Sequence, residues 1–106
     1  MRDLILSTKY KKDIKALSKT PRFKKYSSLL IDYLAMLQRG EDLPPAAKNH
    51  PLAKHSPKHS PKGYKDCWDF HVVPDICVIY RMTDTAIELV RIGQHNNLEL
   101  TENILD

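Results

Sequence analysis

A chain of 106 residues, 42% hydrophobic and 28% charged, is the size of one small globular domain, too short for separate substrate and cofactor domains. That balance argues against wholesale disorder. No apolar run approaches a membrane-spanning length, and the N-terminus lacks the apolar stretch of a secretory signal, so the expected location is the cytoplasm. There the only two cysteines, Cys67 and Cys77, are expected to stay reduced, and their spacing is not that of a zinc site. A formal charge of +4 favours a polyanionic partner, either nucleic acid or an acidic protein.

In chain order, Asp3 to Leu6 reads as a short edge strand. Ser7 or Thr8 offers an N-cap, and Tyr10, Ile14 and Leu17 recur at helical spacing. Lys9, Lys11, Lys12, Asp13 and Lys15 fall between them. They form either plain solvated surface or a phosphate-contacting stripe. Thr20-Pro21 ends this helix. A longer one is expected from about Arg22 to Gln38, with Tyr26, Leu29, Leu30, Tyr33, Leu34 and Leu37 on one face and Gly40 as the C-terminal stop. Two amphipathic helices with a short connection predict a helical hairpin laid across a sheet.

From 41 to 65 the periodicity dissolves. Pro44, Pro45, Pro51, Pro57 and Pro61 interrupt the segment, and Lys54-His55-Ser56-Pro57 is nearly repeated by Lys58-His59-Ser60-Pro61. Such a stretch predicts a long, flexible, partly extended loop. Trp68 to Arg81 then reads as a hairpin turning at Pro74-Asp75, followed by a polar turn at 82–85 and a third strand from Ala86 to Ile92. On that third strand Ile87, Leu89 and Arg91 alternate with Glu88, Val90 and Ile92, and Gly93 ends it. The tail from Gln94 to Asp106 has apolar residues enough for one short packed turn or helix.

Pairing these strands places His71 near Val78 and Ile76 near Arg91, so that His71, Asp75, Arg91 and His95 gather at one edge, with His50 able to reach over it. Two imidazoles can take and give protons near neutral pH, an aspartate can orient one of them, and an arginine can hold a phosphate. That set suffices for metal-free RNA cleavage by attack of a 2′-hydroxyl on its own phosphate. Plainer readings stand beside it: Asp75 as a turn residue, Arg91 paired with Asp75 or Glu88, and histidines that are simply exposed. A metal site of His50, His55 and His59 lacks rigid ligand spacing. Tyr64, Trp68, Phe70 and Tyr80 either stack on bases or pack in the core.

Asn49-His50-Pro51-Leu52, Trp68-Asp69-Phe70-His71-Val72-Val73-Pro74-Asp75, Val78-Ile79-Tyr80 and Arg91-Ile92-Gly93-Gln94-His95 together resemble the YafQ-type branch of RelE-like toxins. The resemblance implies a RelE-like α+β domain over 1–106, with an N-terminal strand and two-helix hairpin packed on a twisted antiparallel sheet, a loop at about 41–65 and an extension at about 98–106. It implies a ribosome-dependent, metal-independent mRNA endonuclease that needs no cofactor, inhibits translation and is neutralised by a cognate antitoxin. Carried over by position, His50, His71 and Asp75 match acid–base and positioning residues. Arg91 matches the phosphate-stabilising arginine, and His95 the general acid. Lys9, Lys11, Lys12, Lys54, Lys58 and Lys62 are candidate RNA contacts. Two departures concern base stacking: Ile76 stands where the family often has tryptophan, and Leu98 and Glu99 stand where relatives have a late aromatic residue. The alternatives are a non-nucleolytic ParE-like toxin acting on a protein such as gyrase, which would lack this histidine set, and a degenerate toxin that only binds its antitoxin.

Overall fold

Asp3–Leu6 forms the first strand, β1, and hands the chain directly to a capped helix in the computed structural model, which describes residues 1–52 and 66–94. Ser7 is the N-cap of α1 (Thr8–Ser18): its backbone is extended, and its hydroxyl accepts the Tyr10 N–H at 2.9 Å. The same hydroxyl donates to the Val90 carbonyl at 2.7 Å, so the cap also fastens the helix to the sheet. Thr20-Pro21 separates α1 from α2 (Phe23–Gln38), which buries Tyr26, Leu30, Tyr33, Leu34 and Leu37 along one stripe. Gly40, at φ +76°, follows its C-cap and takes the left-handed turn that a side chain would strain.

The segment expected to be an irregular loop contains structure in its described part. A 3₁₀ turn at Pro45–Ala47 leads through left-handed Lys48 (φ 49°) into a two-residue strand, β2 (His50–Pro51). Pro45 at the start of the turn has its φ preset, and Ala47 is fully buried. The remaining strands are β3 (Trp68–Val73), β4 (Ile76–Met82) and β5 (Ala86–Gly93).

The sheet order is β1-β5-β4-β3-β2. All pairings are antiparallel except β1 with β5, which is parallel, so the sheet is mixed rather than wholly antiparallel. The first strand meets the last only after the chain has crossed over through the helices and hairpins, and a crossover of that length permits parallel pairing.

Two bulges change the expected register. Val73 lies opposite Ile76, as a Pro74-Asp75 turn requires, but a shift at Val72 puts His71 opposite Cys77 instead of Val78. In the next hairpin a wider turn, closed by Thr83 N–H to the Ala86 carbonyl, pairs Met82 with Ile87. A second bulge at Val90 then sets Arg91 opposite Ile79, not Ile76. The same bulge breaks the alternation of β5. Ile92 joins Ile87 and Leu89 in the main core under the helices, while Val90 packs with Leu52, Cys67, Cys77 and Ile79 in a smaller cluster. Residues directly opposite one another share a face, so Asp69, His71, Cys77 and Ile79 look away from the helices.

Candidate acid–base site

Strand alternation places Asp69 and His71 together, and β2 brings His50 directly opposite Asp69. His50 is held from two sides. The left-handed turn at Lys48 lets that residue's carbonyl accept from His50 Nδ1 at 2.8 Å. The preceding Asn49 is gripped by the Tyr80 hydroxyl, which donates to its Oδ1 at 2.7 Å; burial pushes the Tyr80 phenol up to about 12. His71 Nδ1 lies 3.1 Å from the Pro74 carbonyl. A carbonyl only accepts, so each Nδ1 carries a hydrogen and the lone pair of each neutral ring falls on Nε2. Burial, with smaller contributions from the nearby His50 and Lys48 charges, lowers the pKa of His71 and favours its neutral, proton-accepting form.

Asp69 is the unexpected member. It is 1% exposed, and its Oδ1 lies 3.2 Å from His50 Nδ1 yet accepts no hydrogen bond among the described residues, because the ring N–H is directed at Lys48. Burial raises its carboxyl to about 6, against the opposing pull of His50. A half-satisfied acid at that position titrates in the same range as an imidazole.

The other expected residues lie apart from this trio. His50, Asp69, Ile79 and Arg91 form one row across four strands, so roughly 14 Å of sheet separates the two ends of the row. The Arg91 guanidinium is turned to α1, where Nε and one terminal nitrogen donate to Asp13 at 2.7 and 3.0 Å. It pairs with neither Asp75 nor Glu88; Glu88 instead faces Arg81 at 3.6 Å. Asp75 is clasped by Arg22 through two 2.7 Å bonds, and that guanidinium first, then a Gln94 hydrogen bond among lesser contributions, holds its carboxyl down to about 2.

These partners nevertheless converge. Asp13, Leu17, Arg22, Ile76, Arg91 and Gln94 line a cleft of about 310 Å³ between the helices and the ends of β4 and β5. The Pro74-Asp75 turn joins the two regions, with His71 bonded to one of its residues and Arg22 to the other. Ile76 is buried in the main core and presents no stacking surface, whereas Trp68 is 40% exposed. Lys9, Lys11 and Lys12 are exposed on α1. His95, His55, His59, Tyr64, Lys54, Lys58 and Lys62 lie outside the described residues, as does the tail beyond Gln94 expected to form one short packed turn or helix. Among the described residues no group of three or more His, Cys, Asp or Glu side chains is placed to hold a metal ion, and no helix is long and apolar enough to cross a membrane.

Asp69 was visible in the sequence as the alternation partner of His71 on a strand rich in apolar residues. Asp13, Arg22 and Asn49 carried no comparable signal, since each acts through a contact made only by the fold.

An α+β domain whose one sheet face carries paired histidines beside a buried acid, and whose helix side carries arginine–aspartate pairs, has the build of a small RelE-like toxin. Comparison with known proteins agrees. The family model described as "Bacterial toxin of type II toxin-antitoxin system, YafQ" matches residues 2–100. The curated "mRNA interferase toxin YafQ" of Escherichia coli K12 is 35% identical over 94 residues, covering 89% of this chain and 91% of that protein. Among solved structures, the E. coli DinJ–YafQ complex is similar with a TM-score of 0.70 at 28% identity, covering 92% of this chain and 98% of that one. A copper-bound mutant toxin from Helicobacter pylori is similar with a TM-score of 0.72 at 26% identity, covering 92% and 99%. The chain belongs to the YafQ family of bacterial toxins from type II toxin–antitoxin systems.

Proposed function

We propose that this protein is an mRNA interferase, an endoribonuclease that cuts message engaged on the ribosome in the cytoplasm, thereby inhibits translation, and is held in check by a cognate antitoxin. The name of the E. coli relative and the complexes formed by relatives with DinJ support the activity and the partner. The observation that carries the reading is the pair of imidazoles around Asp69, each with its lone pair fixed on Nε2 by a backbone carbonyl.

In this reaction neutral His71 takes the proton of a 2′-hydroxyl, and the 2′-oxygen attacks the adjacent phosphorus. The bond from phosphorus to the 5′-oxygen breaks, and that oxygen takes a proton from His95. The products are a 2′,3′-cyclic phosphate and a 5′-hydroxyl. Arg91 stabilises the charge gathering on the non-bridging oxygens. His50, with Asp69 behind it, fixes the polar surface on which the message lies. Asp75, clasped by Arg22, holds the turn that places His71. Lys9, Lys11 and Lys12, with Lys54, Lys58 and Lys62, supply sequence-independent phosphate contacts. The chemistry calls on no cofactor.

Toxin released from its antitoxin is to be incubated with programmed ribosomes and with the same message alone. Cuts only in ribosome-engaged message, ending in a cyclic phosphate, are expected. Intact message together with gyrase-dependent DNA damage would overturn the reading in favour of a ParE-like action.

A further inference from the structure

The bulged segment of β5 is fastened to α1 at three consecutive residues. The Val90 carbonyl accepts from the Ser7 hydroxyl, the Arg91 side chain donates twice to the Asp13 carboxylate, and the Ile92 N–H donates to Asp13 Oδ2 at 3.1 Å. β1 pairs with β5 only from Ala86 to Leu89, so this stretch lies beyond the reach of β1. Among the described residues no strand pairs with it on that side; a bulge so placed is free to twist, and an arginine on it has several rotatable bonds. One carboxylate removes both freedoms: it fixes the backbone through Ile92 and the guanidinium plane through a two-point contact. Asp13 and Arg91 are also the shielded pair, with side chains 16% and 20% exposed, whereas the Arg22–Asp75 pair is about half exposed. The direction in which Arg91 is held matters, because the cleft it lines is also lined by Gln94, the residue immediately before His95.

We propose that Asp13 is a positioning residue for the cleavage reaction, setting the orientation in which Arg91 offers its charge to the scissile phosphate. The proposal rests on the reading of Arg91 given above. It touches the reaction only through Arg91, so its loss misplaces a cation without removing one.

The test is a set of single-turnover cleavage measurements on programmed ribosomes with D13N, R91A and the double variant, each alongside its thermal melt. Asn retains an acceptor for Ile92 and the shape of the side chain but loses the charge and one guanidinium contact. D13N is expected to lower the maximal rate about tenfold or more. Half-saturation should stay unchanged or improve, because an anion has left the RNA-facing region. The double variant should be no slower than R91A. Near wild-type cleavage by D13N with R91A inactive would overturn the role of Asp13 while leaving the function intact; full cleavage by R91A would overturn the reading of Arg91 itself. A faster D13N would show that Asp13 withholds Arg91, and a rate loss that adds to that of R91A, or that merely follows a fallen melting temperature, would reduce Asp13 to a structural residue. Each of these also overturns the proposal.

Discussion

Asp69 and Asp75 belong to one hairpin and are driven in opposite directions. Asp69 is sealed on the helix-free face with an imidazole at its side and no guanidinium, and its carboxyl rises to about 6. Asp75 stands at the turn in a two-point clasp with Arg22, and its carboxyl falls to about 2. The contrast separates two uses of the same side chain. A buried acid without adequate donors opposes folding when charged and tunes its neighbours, whereas an exposed, clasped acid holds a turn in place. In the proposed reaction, proton transfer belongs to the first environment and geometry to the second.

The largest effect expected from this division is on His71. His71→Ala should reduce cleavage by about 10²- to 10⁴-fold, as loss of a proton-transfer group does, while the melting temperature stays nearly constant. Ribosome-programmed cleavage beside a thermal melt checks both halves. Asp69→Asn comes next and should split stability from activity. The folded-state pKa of Asp69 lies above its ordinary 3.8, so the folded protein binds this proton more tightly than the unfolded chain. Stability from this group is therefore present below pH 4 and lost as pH rises to about 6, a penalty of roughly 2–3 kcal/mol at neutral pH. The variant should melt about 10 °C higher than the parent at pH 7.5, should lose that advantage near pH 4, and should cleave about tenfold more slowly. Equal melting curves at pH 7.5 would show that Asp69 is not held in an unfavourable charged state.

Tyr80→Phe probes the support beneath His50. It leaves the Asn49 side chain without its 2.7 Å donor, a loss of about 1 kcal/mol visible in a denaturant titration, with a smaller loss of cleavage. Arg22→Ala should have the smallest effect. The clasp on Asp75 is exposed, so the melting temperature at pH 7 should change by no more than about 2 °C, and by less in high salt. Its sign is opposite to that of Asp69. The folded pKa of Asp75 is depressed, so its contribution is present above pH 4 and fades as pH falls toward 2.

Much of this arrangement could be read from residue order. The Tyr26-to-Leu37 stripe, the Ser7 cap, the Gly40 stop and the Pro74-Asp75 turn are local signals, and the helices and hairpins formed where those signals stand. The register could not be read so well, because the bulges at Val72 and Val90 fall on valines that carry no mark of irregularity. A tight Thr83-Asp84 turn would set Arg91 at the level of Ile76, and the wider turn that pairs Met82 with Ile87 moves that level to Val78. With the second bulge it lies opposite Ile79, in the row of Asp69 and His50, and its side chain turns to Asp13. The parallel pairing of β1 was equally hidden, since nothing in four residues states which neighbour they will choose. Asp69 differs in kind: a carboxylate on an apolar strand goes against the packing rule, so residue order marks it as an exception, and such exceptions belong to function more often than to the core.

The central claim is that the imidazoles of this toxin move the protons of a 2′-hydroxyl attack. The most direct measurement is single-turnover cleavage of a ribosome-bound message carrying one 2′-deoxynucleotide on the 5′ side of the cut, compared with the all-ribose message. The account predicts that the deoxy message remains intact at that position while the ribose message yields a 2′,3′-cyclic phosphate. Cleavage of the deoxy message at an undiminished rate would contradict it.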